Sequence, residues 1–214
     1  MRGRLACSIA VTIPLHRDLG FYLGRALLEV AAMEGAAAAI AHKLGNSALL
    51  TAQERDFAVE RLQRDEVRHM NWFRGAAVML GGSQARNLGV DLKARVRILE
   101  RMTSSTDRCA VDRCLLARMN HDERYLLRRF ERFRFVLAHF LPPDLMHSFS
   151  HIETDELVHA AWGRQVLRRL ELAHPEWRAD RRRCQTLRNS ANTLVKLQTL
   201  FQVLGGPRPL VVNG

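Results

Sequence analysis

Cysteines are few in this 214-residue chain, and they show no pattern typical of a disulfide scaffold or a zinc site. There is no CxxC pair and no regular spacing, so a structural zinc site or a rubredoxin-type iron site is not expected. Cysteine usage of this kind is typical of a reducing compartment, and we therefore expect a cytoplasmic protein. The four cysteines are Cys7, Cys109, Cys114 and Cys184.

Long apolar runs are also missing from the sequence. No run approaches the roughly 20 residues that a membrane-spanning helix needs, so no membrane association is expected. The basic start followed by residues 5–15 has the outline of a short signal peptide, but no small-x-small cleavage site follows it. These features favour the same cytoplasmic location.

Lysine is scarce, because only Lys43, Lys93 and Lys196 occur among the 33 basic residues and the other 30 are arginine. Together they give a formal net charge of +11. A basic surface can meet nucleic acid or an anionic substrate. The arginines are scattered along every predicted helix without interleaved base-stacking aromatics, so solvated helix faces are favoured over nucleic-acid binding.

The spacing of apolar residues predicts an all-α protein with one domain and no strands. We expect an irregular segment over residues 1–18, because Pro14 disfavours a helix there. Residues 19–174 are predicted to form a four-helix bundle. Residues 175–214 are predicted to supply an additional C-terminal helix, near 180–204, and a tail packed on the bundle or on another subunit.

Local signals place the ends of the four bundle helices. The first is predicted over residues 19–44, and the second from a capping box at Thr51 to Leu80. A long connector over 82–105, with a short helix near 92–102, is long enough to cross the length of a bundle. The third helix is predicted to begin near residues 105–107 and to end before Pro142, and the fourth is predicted to start just after Pro143 and to run to about His174.

Two segments of the predicted bundle repeat one another. DEVRHMNWFR at residues 65–74 matches DELVHAAWGR at 155–164 in its Asp, Glu, His, Trp and Arg positions. A Glu and a His three residues apart lie on one face of a helix, so each copy presents a carboxylate and an imidazole to one point. This spacing is typical of metal ligands.

Three predicted helices carry apolar stripes with acids or histidines within them, which indicates that these polar groups point inward. The stripes are Val59, Leu62, Glu66, His69, Phe73, Ala76 and Leu80 in the second helix; Leu116, Met119, Glu123, Leu127 and Phe130 in the third; and Phe149, Ile152, Glu156, His159, Gly163, Val166 and Leu170 in the fourth.

Single acids complete the pattern. Glu34 is the only charged residue in the segment 30–41; it precedes Glu66 by 32 residues, and Glu123 precedes Glu156 by 33. In antiparallel helix pairs with short loops, such separations bring both members of a pair to about the same depth. Four buried carboxylates would repel one another, whereas two divalent cations would neutralise them.

This arrangement resembles the ferritin-like di-iron carboxylate superfamily, with a ligand pattern of the bacterioferritin and rubrerythrin type. The resemblance covers roughly residues 19–172 and implies a ferritin-like four-helix bundle with a long crossover between helices 2 and 3. It also implies two iron ions, or an Fe/Mn or Mn centre. The implied metal ligands are Glu34, Glu66, His69, Glu123, Glu156 and His159.

Alternatives stay open for several positions. Glu29 can replace Glu34 as the ligand of the first helix, and Asp122 or Glu131 can replace Glu123 in the third. Candidates for a supporting role are Asp65 and Asp155, each expected to accept the second N–H of a ligand histidine from the opposite helix, and Tyr125, a redox or substrate-facing candidate.

The resemblance implies an enzyme, an O2-activating di-iron oxidoreductase of the oxygenase or hydroxylase type. Its expected partners are dioxygen, a small organic substrate and an external electron donor, and a homodimer is one option for its assembly. One alternative is a ferroxidase or peroxide-scavenging protein that handles iron. Another is a tRNA-modifying di-iron hydroxylase whose arginines hold phosphates.

Overall fold

The computed structural model describes residues 4–81 and 107–178, and every regular element within these ranges is helical. The all-α class is thereby confirmed for this part of the chain. The crossover over 82–105, its short helix, and the C-terminal helix near 180–204 lie outside the described residues. The elements are α1 (Arg4–Leu44), α2 (Ala52–Asp56), a π-helical segment (Phe57–Gln63), α3 (Arg64–Met79), α4 (Arg108–Leu137) and α5 (Pro143–Ala173).

Most helix ends in the structure lie near the capping residues and prolines that the sequence indicates. The Thr51 hydroxyl accepts from the Glu54 backbone N–H at 3.2 Å, and the Glu54 carboxylate accepts from the Thr51 N–H at 2.8 Å. This is the capping box expected from the sequence. Asp107 caps α4 by accepting from the Cys109 N–H at 2.9 Å, and α5 begins at Pro143.

The N-terminal prediction was wrong, because α1 begins at Arg4 and not near residue 19. Pro14 has no N–H to donate to the carbonyl of Ala10, yet the helix continues through it. Interior proline costs about 3 kcal/mol. No glycine occurs between Arg4 and Leu19, so nothing besides Pro14 opposes extension of the helix that follows.

Antiparallel packing relates α1 to the π-helical segment and α3. A Cβ added at Gly20 would lie 3.8 Å from the carbonyl oxygen of Leu80, while His42 Nδ1 lies 3.4 Å from Gln63 Oε1. Gly20 of α1 thus lies near the end of α3, and His42 lies near the end of the π-helical segment, just before α3 begins. This register brings residues near Glu34 level with residues near Glu66.

The helices α4 and α5 form a second antiparallel pair. Asn120 packs against Gly163 at one level, and Arg134 forms an ion pair with Glu153 at another. α1 also contacts α4, and α3 contacts α5, so the two pairs meet. No helix in the described ranges is both long and apolar enough to cross a membrane.

Two apolar clusters fill the interior, and on each helix the acidic and histidine positions lie between them. Along α5, for example, Ile152 belongs to one cluster and Val166 to the other, with Glu156 and His159 in the interval. The first cluster includes Leu27, Ala31, Phe73, Leu126, Phe130, Phe149 and Ile152; the second includes Ile40, Leu44, Ala58, Leu62, Leu116, Met119, Val166 and Leu170.

The predicted stripes are confirmed in α5, where all seven positions are buried. Three positions elsewhere differ, and one of them is Leu80, which is half-buried at the end of α3. Val59 is 40% exposed and Ala58 is fully buried in its place, because the wider π-helical turns change which residues face inward. In α4, Leu126 is buried while Leu127 is half-buried.

Candidate metal centre

Six buried side chains from four helices meet between the two apolar clusters. They form two groups, each able to hold a metal ion, in which the ligand atoms lie within 4.8 Å of one another. Glu66 and Glu156 belong to both groups. The groups are Glu34, Glu66, His69 and Glu156, and Glu66, Glu123, Glu156 and His159.

The helices bring these side chains together because each polar group occupies an inward position of its helix. α1 supplies Glu34 and α4 supplies Glu123, while α3 and α5 each supply a Glu and a His three residues apart. None of the six is more than 3% exposed. The sequence predicted this set of residues, and the structure brings all six into contact distance.

Each histidine faces the carboxylate of the opposite helix. His69 Nδ1 lies 3.0 Å from Glu156 Oε1, and His159 Nδ1 lies 3.0 Å from Glu66 Oε1. The two rings are 5.8 Å apart between centroids. The repeat in the sequence therefore becomes an approximate two-fold arrangement, in which Nδ1 is the ring nitrogen that faces the cluster.

The other ring nitrogens contact two aspartates. His69 Nε2 lies 3.3 Å from Asp155 Oδ2, and His159 Nε2 lies 3.3 Å from Asp65 Oδ2. A carboxylate that accepts from Nε2–H selects the tautomer in which Nδ1 carries a lone pair. These are the contacts expected for the two aspartates, and their role beside a bound metal stays a prediction.

Sequence reasoning missed Arg68, which joins both aspartates. Its Nη2 lies 3.1 Å from Asp65 Oδ1 and 2.5 Å from Asp155 Oδ2. The second repeat has Val158 at the matching position, so the repeat itself carried no signal for this residue. Only the three-residue spacing from Asp65 hinted at an ion pair, and the contact with Asp155 depends on helix packing.

Burial dominates the electrostatics of the four glutamates. It raises the pKa of the Glu34 carboxyl well above its usual value, and the adjacent Glu66 raises it further. The pKa values of Glu66, Glu123 and Glu156 are raised in the same way, first by burial and then by a neighbouring carboxylate. Without a cation, these carboxyls therefore favour their protonated forms.

The pKa of His69 moves in the opposite direction. Burial, and next the neighbouring His159 ring, lower it from 6.5 to about 4. The Asp155 carboxylate opposes this shift without reversing it. His69 is consequently neutral at pH 7, which is the form that binds metal ions.

The donor atoms fit a divalent metal ion. One carboxylate oxygen in each of Glu34, Glu123 and Glu156 is buried with no hydrogen-bond partner among the described residues. Buried polar atoms usually have partners, and an unfilled one calls for an explanation such as an ion. Carboxylate oxygens with imidazole nitrogens suit iron, manganese and related metals.

The alternative ligands lie outside the two groups. Glu29 is half-buried on α1, Asp122 lies 3.2 Å from Arg118 Nε, and Glu131 is exposed. Tyr125 is half-buried, and two residues along a helix place it on a different face from Glu123. Its proposed redox or substrate-facing role stays a prediction.

Comparison with known proteins adds no family: no family model, no curated protein and no solved structure matches the chain. The interpretation of the cluster therefore rests on its geometry and chemistry.

Proposed function

We propose that the described helices belong to a ferritin-like four-helix bundle with a dimetal carboxylate centre. We further propose that the protein is an O2-activating di-iron oxidoreductase. One observation carries the proposal: two fully buried groups of carboxylate and imidazole donors overlap in Glu66 and Glu156. Two carboxylates common to two metal-sized groups favour a pair of adjacent ions over a single one.

Each of the six candidate ligands then has a distinct role in holding the metal ions. Glu34 and His69 would hold one ion, Glu123 and His159 would hold the other, and the two shared glutamates would lie between them. Two divalent cations carry +4 and balance the −4 of four ionised glutamates, which removes the repulsion that raises their pKa values. Bound iron would supply electrons for the reduction of dioxygen, and the oxidising equivalents so produced would oxidise an organic substrate.

The remaining groups prepare this site without being ligands. Asp155 and Asp65 hold the Nε2–H of the two histidines and aim Nδ1 at the cluster. The apolar clusters on both sides limit water around the carboxylates, which strengthens their electrostatic attraction for cations. Manganese at one or both positions is compatible with the same donors.

The first test is metal content. Metal-free protein mixed anaerobically with excess Fe(II) and then desalted should retain about two iron ions per chain, the number that this ligand set holds in such bundles. Glu66→Gln combined with Glu156→Gln should retain none, because it removes both shared carboxylates. Glu131→Gln, on the exposed face of α4, is the matched control and should retain as much iron as the unmodified chain.

Circular dichroism of the double variant must show unchanged helix content for the comparison to count. Retention of two ions by a folded Glu66→Gln/Glu156→Gln chain would contradict the proposal.

A second measurement separates an oxidoreductase from an iron-handling protein. The reduced di-iron form is exposed to dioxygen, and a chemical reductant is then added. An oxidoreductase should keep its iron and return to the reduced state for a further cycle. Release of the oxidised iron, or accumulation of many iron ions per chain, would instead favour the ferroxidase alternative.

A further inference from the structure

His147 and His151 lie one turn apart on the outer face of α5, away from the buried cluster, and both are exposed. Their Nε2 atoms are 3.2 Å apart and the rings meet edge to face, with centroids 4.7 Å apart. The two Nε2 atoms lie within hydrogen-bond distance of each other, so one ring nitrogen of each histidine is directed at the same spot.

The separation of the two nitrogens matches the bite of a chelated transition-metal ion. Metal–imidazole nitrogen bonds are about 2.0–2.1 Å long. Two such bonds at angles between a right angle and the tetrahedral value place the nitrogens about 2.9–3.4 Å apart. The observed 3.2 Å lies within that interval, so the separation of the two nitrogens suits one bound ion.

A cavity of about 480 Å³ lies beside α5 near this pair. His151 lines it, and so does Asp155, one turn further along the helix. The Asp155 carboxylate in turn lies 3.3 Å from His69 Nε2, at the edge of the buried cluster. The lining residues are Arg68, Trp72, Ser148, His151, Ile152, Thr154 and Asp155.

The charges along this cavity do not oppose a cation. Arg68 is the cationic side chain among the lining residues, and its guanidinium is bound by the carboxylates of Asp65 and Asp155. The other polar groups of the lining are hydroxyl, imidazole and carboxylate groups, which contact hydrated metal ions readily, while Trp72 and Ile152 are largely apolar. Successive turns thus present His147, His151 and Asp155 in one row.

The geometry points to a second metal site: His147 and His151 chelate a first-row divalent transition-metal ion at the mouth of this cavity. The site captures ions that then load the buried cluster. The chelate stands on its own geometry, and the capture role rests on the proposed function of the cluster. Affinity should follow the usual order, with Cu(II) held more tightly than Ni(II) or Zn(II).

The chelate is tested on the full chain with the buried site disabled by Glu66→Gln and Glu156→Gln. Titration with Ni(II) against a chromophoric competitor should find one ion per chain. Changing His147→Gln or His151→Gln should weaken binding by about 100-fold, because either change removes the chelate. His139→Gln, another exposed histidine, should have no effect. Equal Ni(II) affinity with and without the pair would overturn the chelate.

The capture role is tested on the chain with an intact buried cluster. Co(II) at limiting concentration should load the cluster about ten-fold more slowly in the His147→Gln/His151→Gln variant, with the same final absorption spectrum. An unchanged loading rate would overturn the capture role. A cluster that takes up no Co(II) would contradict both the proposed function and the capture role, whereas the Ni(II) titration would still decide the chelate.

Discussion

His69 donates through Nε2 toward Asp155 Oδ2 across 3.3 Å, linking α3 to α5 behind the cluster. Arg68 Nη2 also lies 2.5 Å from Asp155 Oδ2, and this ion pair holds the carboxylate in place. The pair sets the tautomer that leaves His69 Nδ1 free to bind a cation.

Asp155→Asn should therefore weaken metal binding without removing a ligand. An amide can present its N–H to His69 and select the wrong tautomer, and losses of about 10- to 100-fold in affinity are usual for such changes. Competition titration with Co(II) measures the effect. Asp56→Asn, an exposed acid on α2, serves as the control. Equal affinity of the Asp155→Asn protein and the unmodified protein would remove Asp155 from the positioning role.

The raised pKa of Glu34 makes the stability of metal-free protein depend on pH. A carboxyl whose pKa is higher in the folded state contributes stability that is complete below its unfolded value of about 4.5. This contribution is lost as pH rises through the folded pKa. A tenfold difference in proton affinity between the folded and unfolded states corresponds to about 1.4 kcal/mol.

Glu34→Gln removes this ionisation while keeping the shape of the side chain. The melting temperature of metal-free Glu34→Gln protein should therefore rise relative to the unmodified protein as pH increases above 4.5. Comparing the two proteins cancels the opposing contribution of His69, which is lost as pH falls from 6.5 toward 4. With Co(II) bound the order should reverse, because the ion favours the ionised carboxylate. A difference in melting temperature that is independent of pH would contradict the prediction.

Gly163 on α5 packs against Asn120 on α4. A Cβ at this position would lie 3.1 Å from Asn120 Cβ, an atom that cannot swing away because it is attached to the backbone. Gly75 on α3 is exposed and has nothing within 4 Å of its own added Cβ. The two glycines form a matched pair for the same substitution.

Gly75→Ala should raise the free energy of unfolding by about 1 kcal/mol through helix propensity alone. Gly163→Ala gains the same amount but adds overpacking that costs about 1–3 kcal/mol. Urea unfolding should therefore show Gly163→Ala to be less stable than Gly75→Ala by about that cost. Equal stability of the two variants would mean that α4 and α5 can move apart at Gly163 without a cost in the free energy of unfolding.

Arg169 on α5 forms hydrogen bonds with residues at the start of α2. Its guanidinium donates to both carboxylate oxygens of Glu54, at 2.9 and 2.6 Å, and to the Leu49 carbonyl at 3.0 Å. Despite partial burial, which acts to raise it, the pKa of Glu54 is lowered by these contacts and by the Thr51 N–H.

Arg169→Lys should lower the free energy of unfolding by about 1–2 kcal/mol, since an ammonium cannot make the two parallel bonds. Thermal unfolding of this variant is compared with that of Arg168→Lys, the exposed neighbour. An Arg169→Lys protein as stable as the Arg168→Lys protein would show that the two hydrogen bonds from Arg169 to Glu54 do not contribute to the free energy of unfolding.

In a regular α-helix, periodicity predicts the inward positions with small departures, as at Leu127 of α4, whereas π-helical turns displace them. In α5 the regular α-helical period carried every inward position from Phe149 to Leu170 correctly. In the π-helical segment the same period failed at Val59, because wider turns change the face that each residue occupies. At the N-terminus, Pro14 predicts an irregular segment, yet α1 begins at Arg4 and extends through this proline.

The sequence by itself determined the six leading candidates for the cluster and left Glu29, Asp122 and Glu131 open as alternatives. The repeat around Glu66 and Glu156, the isolated Glu34 and the inward stripe of Glu123 are local patterns, and helical periodicity converts them directly into buried positions.

Only the tertiary structure decided how these residues pair. His69 Nδ1 lies beside Glu156 of the opposite helix, Arg68 bridges two aspartates 90 residues apart, and His151 shares a cavity with Asp155. These contacts depend on the rotation and register of α3 against α5. Sequence spacing does not specify that rotation, because it is set by the packing of apolar side chains from several helices at once.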